Sequence, residues 1–260
     1  MDLFATSESK TESTTNLQDF SSTKTDYKLI QSIEEHLNFI KELSSKDAVA
    51  FDTETTSLEI NKAKLLGISF SYSKNTAFYC DVSKEEALID LYKDFFHSKT
   101  IKIAHNLKYD YGILYKYGIQ INEFCFDTMI AHYLIDPEKR HNLDQLSRTI
   151  LNYDPIPIES LIGSKTKPTK KMEEVEIGTL KNYAAEDADL TFQLYLKFSK
   201  ELKNLDLEHL FYNIEIPLMR VLHDMEKQGI KINTESLSSF SKDLNISLAN
   251  LKQSIFQLSE

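Results

Sequence analysis

The stretch Ala48-Val49-Ala50-Phe51-Asp52-Thr53-Glu54-Thr55 runs from apolar residues straight into two acids and reads as a strand. Side chains alternate across a strand, so Asp52 and Glu54 project from one face while Phe51 and Thr53 project from the other. Adjacent carboxylates at the end of an apolar strand repel each other, and a divalent cation is the usual reason for holding them together. An exposed strand end, with both acids simply meeting water, accounts for the same pair. This stretch alone therefore leaves metal binding and solvation open.

Outward from this strand, residues 65–72 (LLGISFSY) and 76–82 (TAFYCDV) form two more, joined by a turn at Ser73-Lys74-Asn75. Upstream, residues 27–30 make a short strand. Ser32 with Glu35 then forms a capping-box pattern, opening a helix with Ile33, Leu37, Ile40 and Leu43 on one face. Downstream come a helix over 84–97, a strand over 101–104, a helix over 107–117, and a strand over 124–127 leading into a helix with Met129, Ile130 and Tyr133. This order predicts an α/β fold, a mixed sheet of about five strands with helices on its faces. Residues 136–176 hold four of the five prolines and a lysine cluster, Lys165, Lys167, Lys170 and Lys171, and predict short helices and a mobile loop. The lysines fit a solvated loop at least as well as a phosphate contact. A long helix spans 177–202, with Leu180, Tyr183, Ala184, Ala188, Thr191, Leu194, Tyr195 and Phe198 at helical spacing.

The ends differ from the middle. Residues 1–24 contain ten serines or threonines and predict a disordered lead-in, with order beginning near Tyr27. From residue 208 the pattern is helix–turn–helix: Pro217 near a first turn, Gly229 as a stop, and Thr234 capping a last helix. That helix carries Leu237, Phe240, Leu244, Leu248, Leu251, Ile255 and Leu258 as a narrow stripe of the coiled-coil kind. The expected organisation is a lead-in over 1–24, a main domain over 25–207 and a helical segment over 208–260.

Of the 260 residues 41% are hydrophobic, enough for one large core or a core with an appendage. Six glycines and five prolines exclude collagen-like and glycine-rich classes. No apolar run approaches the ~18 residues of a membrane span, and the N-terminus has no secretory pattern. The two cysteines, Cys80 and Cys125, lack metal spacing, so a reducing, cytoplasmic location is expected. The net charge of −10 argues against a broad basic face for nucleic acid, but not against an enzyme that gathers carboxylates around cations. No GxxxxGK[ST] phosphate loop occurs, and His97, His132, His209 and His223 form no zinc pattern; His141, beside Asn142, reads as a cap or turn residue.

Two further segments bear on the acidic pair. In Ala104-His105-Asn106-Leu107-Lys108-Tyr109-Asp110, Asp110 falls in the first turn of a helix, where a carboxylate suits the macrodipole with no other role. In Tyr183-Ala184-Ala185-Glu186-Asp187-Ala188-Asp189, Tyr183 and Asp187 share a helix face, and the alanines leave room for a neighbouring sheet. Together, FDTETTSL, HNLKYDYGIL and NYAAEDADLTFQLYLK resemble the three motifs of the DEDD exonuclease superfamily, with the tyrosine of its DEDDy branch. The match is closer still to the 3′→5′ proofreading exonuclease domain of bacterial DNA polymerase I. FDTMIAHYLIDPEKRHNLDQLS and NIEIPLMRVLHDMEKQGIKIN extend it from about Tyr27 to the C-terminus.

The resemblance implies a ribonuclease H-like fold and two-metal hydrolysis that removes nucleotides from single-stranded or frayed DNA 3′ ends, releasing nucleoside 5′-monophosphates. It implies that Asp52, Glu54 and Asp187 hold one Mg²⁺ or Mn²⁺. Asp52 bridges to a second ion, Asp110 contributes there, and Tyr183 with Glu54 orients the attacking water. It places Leu58 as a wedge beside the terminal base, Asn106 and Tyr109 against the last nucleotides, and the backbone at Thr55 against the 3′ end. Two positions depart from the pattern: His105 stands where glutamine is expected and brings a source of pH dependence, and Ile158 stands where an aromatic is expected. The resemblance further implies a polymerase domain as partner, a chain that is an excised domain or fragment, and a last helix that protrudes, self-associates or folds back. A ribonuclease D-like RNA-processing exonuclease and a non-catalytic DNA-binding or structural module are the alternatives.

Overall fold

The structure, a computed structural model, describes residues 17–164 and 166–259. The main sheet has six strands, β1 (Asp26–Ile30), β2 (Ala48–Thr55), β3 (Leu65–Ser73), β4 (Thr76–Asp81), β5 (Ile101–Ala104) and β6 (Cys125–Asp127), in the order β1-β4-β3-β2-β5-β6. β3 runs antiparallel to both neighbours; the other pairings are parallel. The mixed α/β sheet is the expected one; all six strand candidates join it, one more than the estimate of about five, with β1 at the edge beside β4. Asn75 closes the β3–β4 hairpin with φ of 62°, a conformation asparagine tolerates better than most residues.

The register explains the two faces. Ala50, Asp52 and Glu54 lie opposite Ser71, Ser69 and Gly67, which in turn lie opposite Ala77, Tyr79 and Asp81. Apart from the acids and Tyr79, this face is built of small side chains. The long helix (Ile177–Asn204), which packs on β2, β3 and β4, buries Ala184, Ala185 and Ala188. Small residues on both partners allow close approach. The opposite face is aromatic: Phe70 stacks on Tyr92 at 5.4 Å, Phe39 meets Phe78 at 4.4 Å and Phe51 meets Phe96 at 5.0 Å. Each such buried ring contributes roughly 1.5–3 kcal/mol of burial free energy, which holds the sheet rigid beneath the acids.

Helix α1 (Ile33–Leu43) has the expected capping box between Ser32 and Glu35. Its buried face, however, is His36, Phe39 and Leu43, while Ile33 and Leu37 are exposed, because the His36 ring turns inward to bond Tyr92 Oη at 2.6 Å. The helix expected over 84–97 is interrupted between α2 (Ala87–Asp90) and α3 (Lys93–His97), where the amides of Leu91 and Tyr92 reach only three residues back. Next come α4 (Leu107–Lys116), α5 (Thr128–Ile135) and the long helix, α6. Residues 136–176 form short helical turns and two-residue strands; Lys170 and Lys171 are exposed, and Lys165 lies outside the described residues.

Of the expected lead-in, residues 1–16 lie outside the described residues. Order begins before Tyr27: Gln18–Asp19 pairs in parallel with Tyr153–Asp154, and Phe20 stacks on Tyr27 at 5.9 Å. The chain divides into two compact units, one up to Val221 and one from Leu222. In the first, Phe211, Ile216 and Met219 join the main core. The helix widens to a π turn over Phe211–Glu215 as it enters α7 (Ile216–Gln228), where Pro217 supplies no N–H for the ordinary ladder. In the second, Gly229 takes φ of 68° and donates to Met225, ending α7. The cap of α8 (Thr234–Leu258) is Asn233, which accepts from Ser236 N at 3.0 Å, and not the expected Thr234. All seven apolar residues of the α8 stripe are exposed. Among the described residues no helix is long and apolar enough to cross a membrane.

Candidate active site

The site forms where two parallel strands part. β2 and β5 pair only from Ala48–Ile101 to Ala50–Ile103; β5 then ends and the chain turns into α4. Beyond Ala50 that edge of β2 lacks a strand, and α4 fills the opening with Asp110. The Thr53 amide and Oγ1 both donate to Asp110 Oδ1, at 3.0 and 2.5 Å. The carboxylate thus completes the strand's hydrogen bonding and is tied to the backbone between the two acids.

Asp187 arrives from α6 on the other side, carried close by its alanine neighbours. Carboxylate oxygens of Asp52, Glu54 and Asp187 lie within 4.8 Å of one another. Glu54 is 5% exposed, and its Oε1 has no hydrogen-bond partner. Burial raises the Asp52 pKa to about 7. Burial, and then the charge of Asp52, push Glu54 well above the carboxylate range, and the same two causes act on Asp187. Asp110 is also raised well above that range, by burial and then Asp52, against the two Thr53 donors. Tyr183 lies one turn before Asp187 on the same helix. The Asp187 charge foremost, and then burial, disfavour its phenolate.

This donor set fits a hard divalent cation. All the ligand atoms are oxygens, three are mutually close, and one is buried with no other partner. Among the described residues no other group of three His, Cys, Asp or Glu is so placed. Asp110 stands outside the tight trio, behind Thr53.

The rim is fixed by backbone contacts. Tyr109 Oη shares a 2.6 Å bond with Thr55 Oγ1 and donates to Ser57 O at 2.9 Å. Lys116 Nζ donates to the carbonyls of Ile60, Asn61 and Ala63, at 3.3, 3.2 and 2.6 Å. This pinned loop presents Leu58 at 88% exposure, an apolar residue held out to solvent. Asn106 is exposed, with φ of 65° and no side-chain capping bond. Ile158, half-buried, precedes a short helix over Glu159–Ile162.

Sequence reading missed Asp127. Buried at the end of β6, it accepts from the amides of Leu107, Asn106, Met129 and Ile130 at 2.8, 3.3, 2.8 and 3.2 Å, so one carboxylate caps both α4 and α5. An acid between a strand and a helix is the N-cap signal that marks it. Because caps are worth ~0.5–2 kcal/mol each, Asp127→Ala should cost about 1–4 kcal/mol in chemical denaturation. An unchanged midpoint would contradict this role.

The histidines also differ from expectation. His141 bonds His132 through their Nδ1 atoms at 2.7 Å, so it is more than a turn residue. His105 bonds Thr128 Oγ1, which itself donates to Ala104 O; burial lowers the His105 pKa to about 4. Its titration thus falls below neutral pH, against the expected pH dependence.

The chain is 33% identical over 239 residues to DNA polymerase I of Borreliella burgdorferi, covering 88% of this chain and 26% of that one. It therefore spans about a quarter of that relative's length. Its fold is similar to Brucella melitensis NrnC with bound Mg²⁺ (TM-score 0.61, 19% identity, 80% of this chain and 95% of that one). It is also similar to the POL domain of Pol1 from M. smegmatis in complex with DNA primer-template and dNTP (TM-score 0.66, 17% identity, 85% and 36%). These likenesses show the fold, a mixed α/β sheet flanked by helices. The model of the 3′-5′ exonuclease domain of polymerase I-like proteins matches residues 27–203, and the chain belongs to that family.

Proposed function

We propose that this chain is a metal-dependent 3′→5′ exodeoxyribonuclease. It shortens single-stranded or frayed DNA 3′ ends and releases nucleoside 5′-monophosphates. The observation that carries the reading is the meeting of Asp52, Glu54 and Asp187 oxygens within 4.8 Å, with Asp110 tied to the same strand.

Two divalent cations, Mg²⁺ or Mn²⁺, bound by Asp52, Glu54, Asp187 and Asp110 would activate water and neutralise the phosphate. The chain's own residues do the rest. Asp52, whose charge acts on Glu54, Asp187 and Asp110 alike, would serve both cations. Tyr183 and Glu54 would orient the attacking water. The Tyr183 phenol stays protonated at working pH, so it acts as a fixed hydrogen-bond donor, not a base. Leu58, held rigidly at the rim, can pack against a terminal base of any identity. Asn106 and Tyr109, with the backbone at Thr55, meet the last nucleotides. Pairing must be broken before a 3′ strand enters, so mismatched ends are favoured.

The charge of −10 fits a site served by a neighbour. In a protein of the relative's length, a polymerase domain would hold the duplex and supply the 3′ end at high effective concentration. The setting is the cytoplasm.

End-labelled single-stranded DNA tests the reading. With Mg²⁺, stepwise loss of 3′ nucleotides is expected, slow in trans and weakening as salt rises. Chelator should stop it. A matched RNA oligonucleotide digested in preference to DNA would point to ribonuclease D-like processing. No metal-dependent digestion of either would leave a non-catalytic module.

A further inference from the structure

A second polar group is buried beside the acids. Gly67 pairs directly across from Glu54, so a side chain at position 67 would rise on the same face as the Glu54 carboxylate. That space is already filled. A Cβ built on Gly67 would lie 2.3 Å from Tyr79 Cζ and Oη and 2.4 Å from Cε2. The hydroxyl end of Tyr79 therefore sits over the Gly67 backbone as the lateral neighbour of Glu54. Tyr79 is fully buried, and its ring packs in the cluster of Leu161, Leu180 and Ala184, against which Tyr183 also lies. It cannot swing away.

Tyr79 Oη and Glu54 Oε1 are both buried, and neither has a hydrogen-bond partner. Leaving such groups unpaired costs about 1–3 kcal/mol each, so a fold does not keep two side by side without use. One is a donor and the other an acceptor, and they occupy adjacent positions on one face. Resting on the nuclease reading above, we propose that Tyr79 is a positioning residue: its phenol, seated over Gly67 and unpaired as it stands, donates to Glu54 Oε1 once a cation draws that carboxylate in, and so holds it in its cation-binding orientation. Gly67 is then required because any Cβ there would displace the phenol. The electrostatics agree, since after burial the Glu54 charge is the largest cause opposing ionisation of Tyr79. Partners of this kind typically change metal affinity or activity by about 10–100-fold.

The test is Tyr79→Phe, which keeps the ring over Gly67 and removes one oxygen. Deleting an unpaired buried hydroxyl should leave the metal-free Tm unchanged or higher, so the variant folds. Mn²⁺ affinity without DNA, read by calorimetry or electron paramagnetic resonance, should weaken about tenfold. In digestion, kcat should fall by about 10–100-fold with KM for DNA unchanged. In a Glu54→Gln background, Tyr79→Phe should change Mn²⁺ affinity no further, because its effect runs through that carboxylate. Wild-type Mn²⁺ affinity in Tyr79→Phe, or an equal loss in both backgrounds, overturns the assignment. Gly67→Ala gives an independent arm: wild-type Mn²⁺ affinity there also counts against it. A wild-type chain that binds Mn²⁺ but digests no DNA defeats the nuclease reading, while the Tyr79 assignment is still decided by metal affinity.

Discussion

Asp52→Asn should lower Mg²⁺-dependent digestion of single-stranded DNA by about 10³-fold or more, while the metal-free protein melts at a higher temperature. The two effects have one cause. Asp52 lies in a trio whose oxygens are within 4.8 Å, and it appears among the causes that raise Glu54, Asp110 and Asp187. Converting it to an isosteric amide removes a cation ligand, so activity collapses. It also removes a charge that its neighbours resist, so the fold relaxes. Relief of about 1 kcal/mol would raise Tm by about 2–4 °C in a chain of this size. A purely structural acid would behave oppositely, losing stability and keeping activity. Rates from end-labelled DNA and calorimetry on the same preparation distinguish these cases. Unchanged digestion would mean that the activity comes from a contaminant or from another site.

What could be read from the sequence follows from which relations are local. The pairing of Asp52 with Glu54 depends only on strand alternation, and that of Tyr183 with Asp187 only on helical spacing. Both are as expected. The approach of α6 was legible in its alanines, but the answering small residues, Gly67, Ser69 and Ser71, acquire meaning only once the register sets them opposite Glu54 and Asp52. Asp110 read alone as a helix-terminal acid; its bond to the Thr53 amide exists because β5 stops after Ala104, which no local pattern announces. Asp127 serves two helix ends at once, and only one follows it in sequence. The face of α1 was misjudged for a related reason. Hydrophobicity favoured Ile33 and Leu37, yet the buried Tyr92 hydroxyl drew His36 inward. Local chemistry was visible; the partner brought by another element was not.

The second large effect is a stability whose dependence on pH is steepest while the cation is absent. Ordinary carboxylates titrate near pH 4, whereas burial lifts Asp52 to about 7, and Glu54, Asp110 and Asp187 also lie well above the usual range. Between those limits the folded chain binds more protons than the unfolded chain. The slope of unfolding free energy with pH is therefore negative, and stability present below pH 4 is lost as pH rises toward and past 7. In chelator, Tm should fall between pH 5 and pH 7.5. Saturating Mg²⁺ replaces the protons with a cation that favours the ionised form. At about 100 times Kd it should add about 2.7 kcal/mol, or about 5–10 °C, at pH 7.5. The gain should be much smaller at pH 5, where protons compete for the same oxygens. Glu186, also raised to about 7 by burial, bonds Tyr153 and the Ile156 amide away from this cluster, so its share of the slope should persist with Mg²⁺. The informative quantity is accordingly the difference between chelator and Mg²⁺ at each pH. Equal Mg²⁺ shifts at pH 5 and 7.5 would place cation binding away from the trio, and a shift that survives Asp187→Asn would do the same.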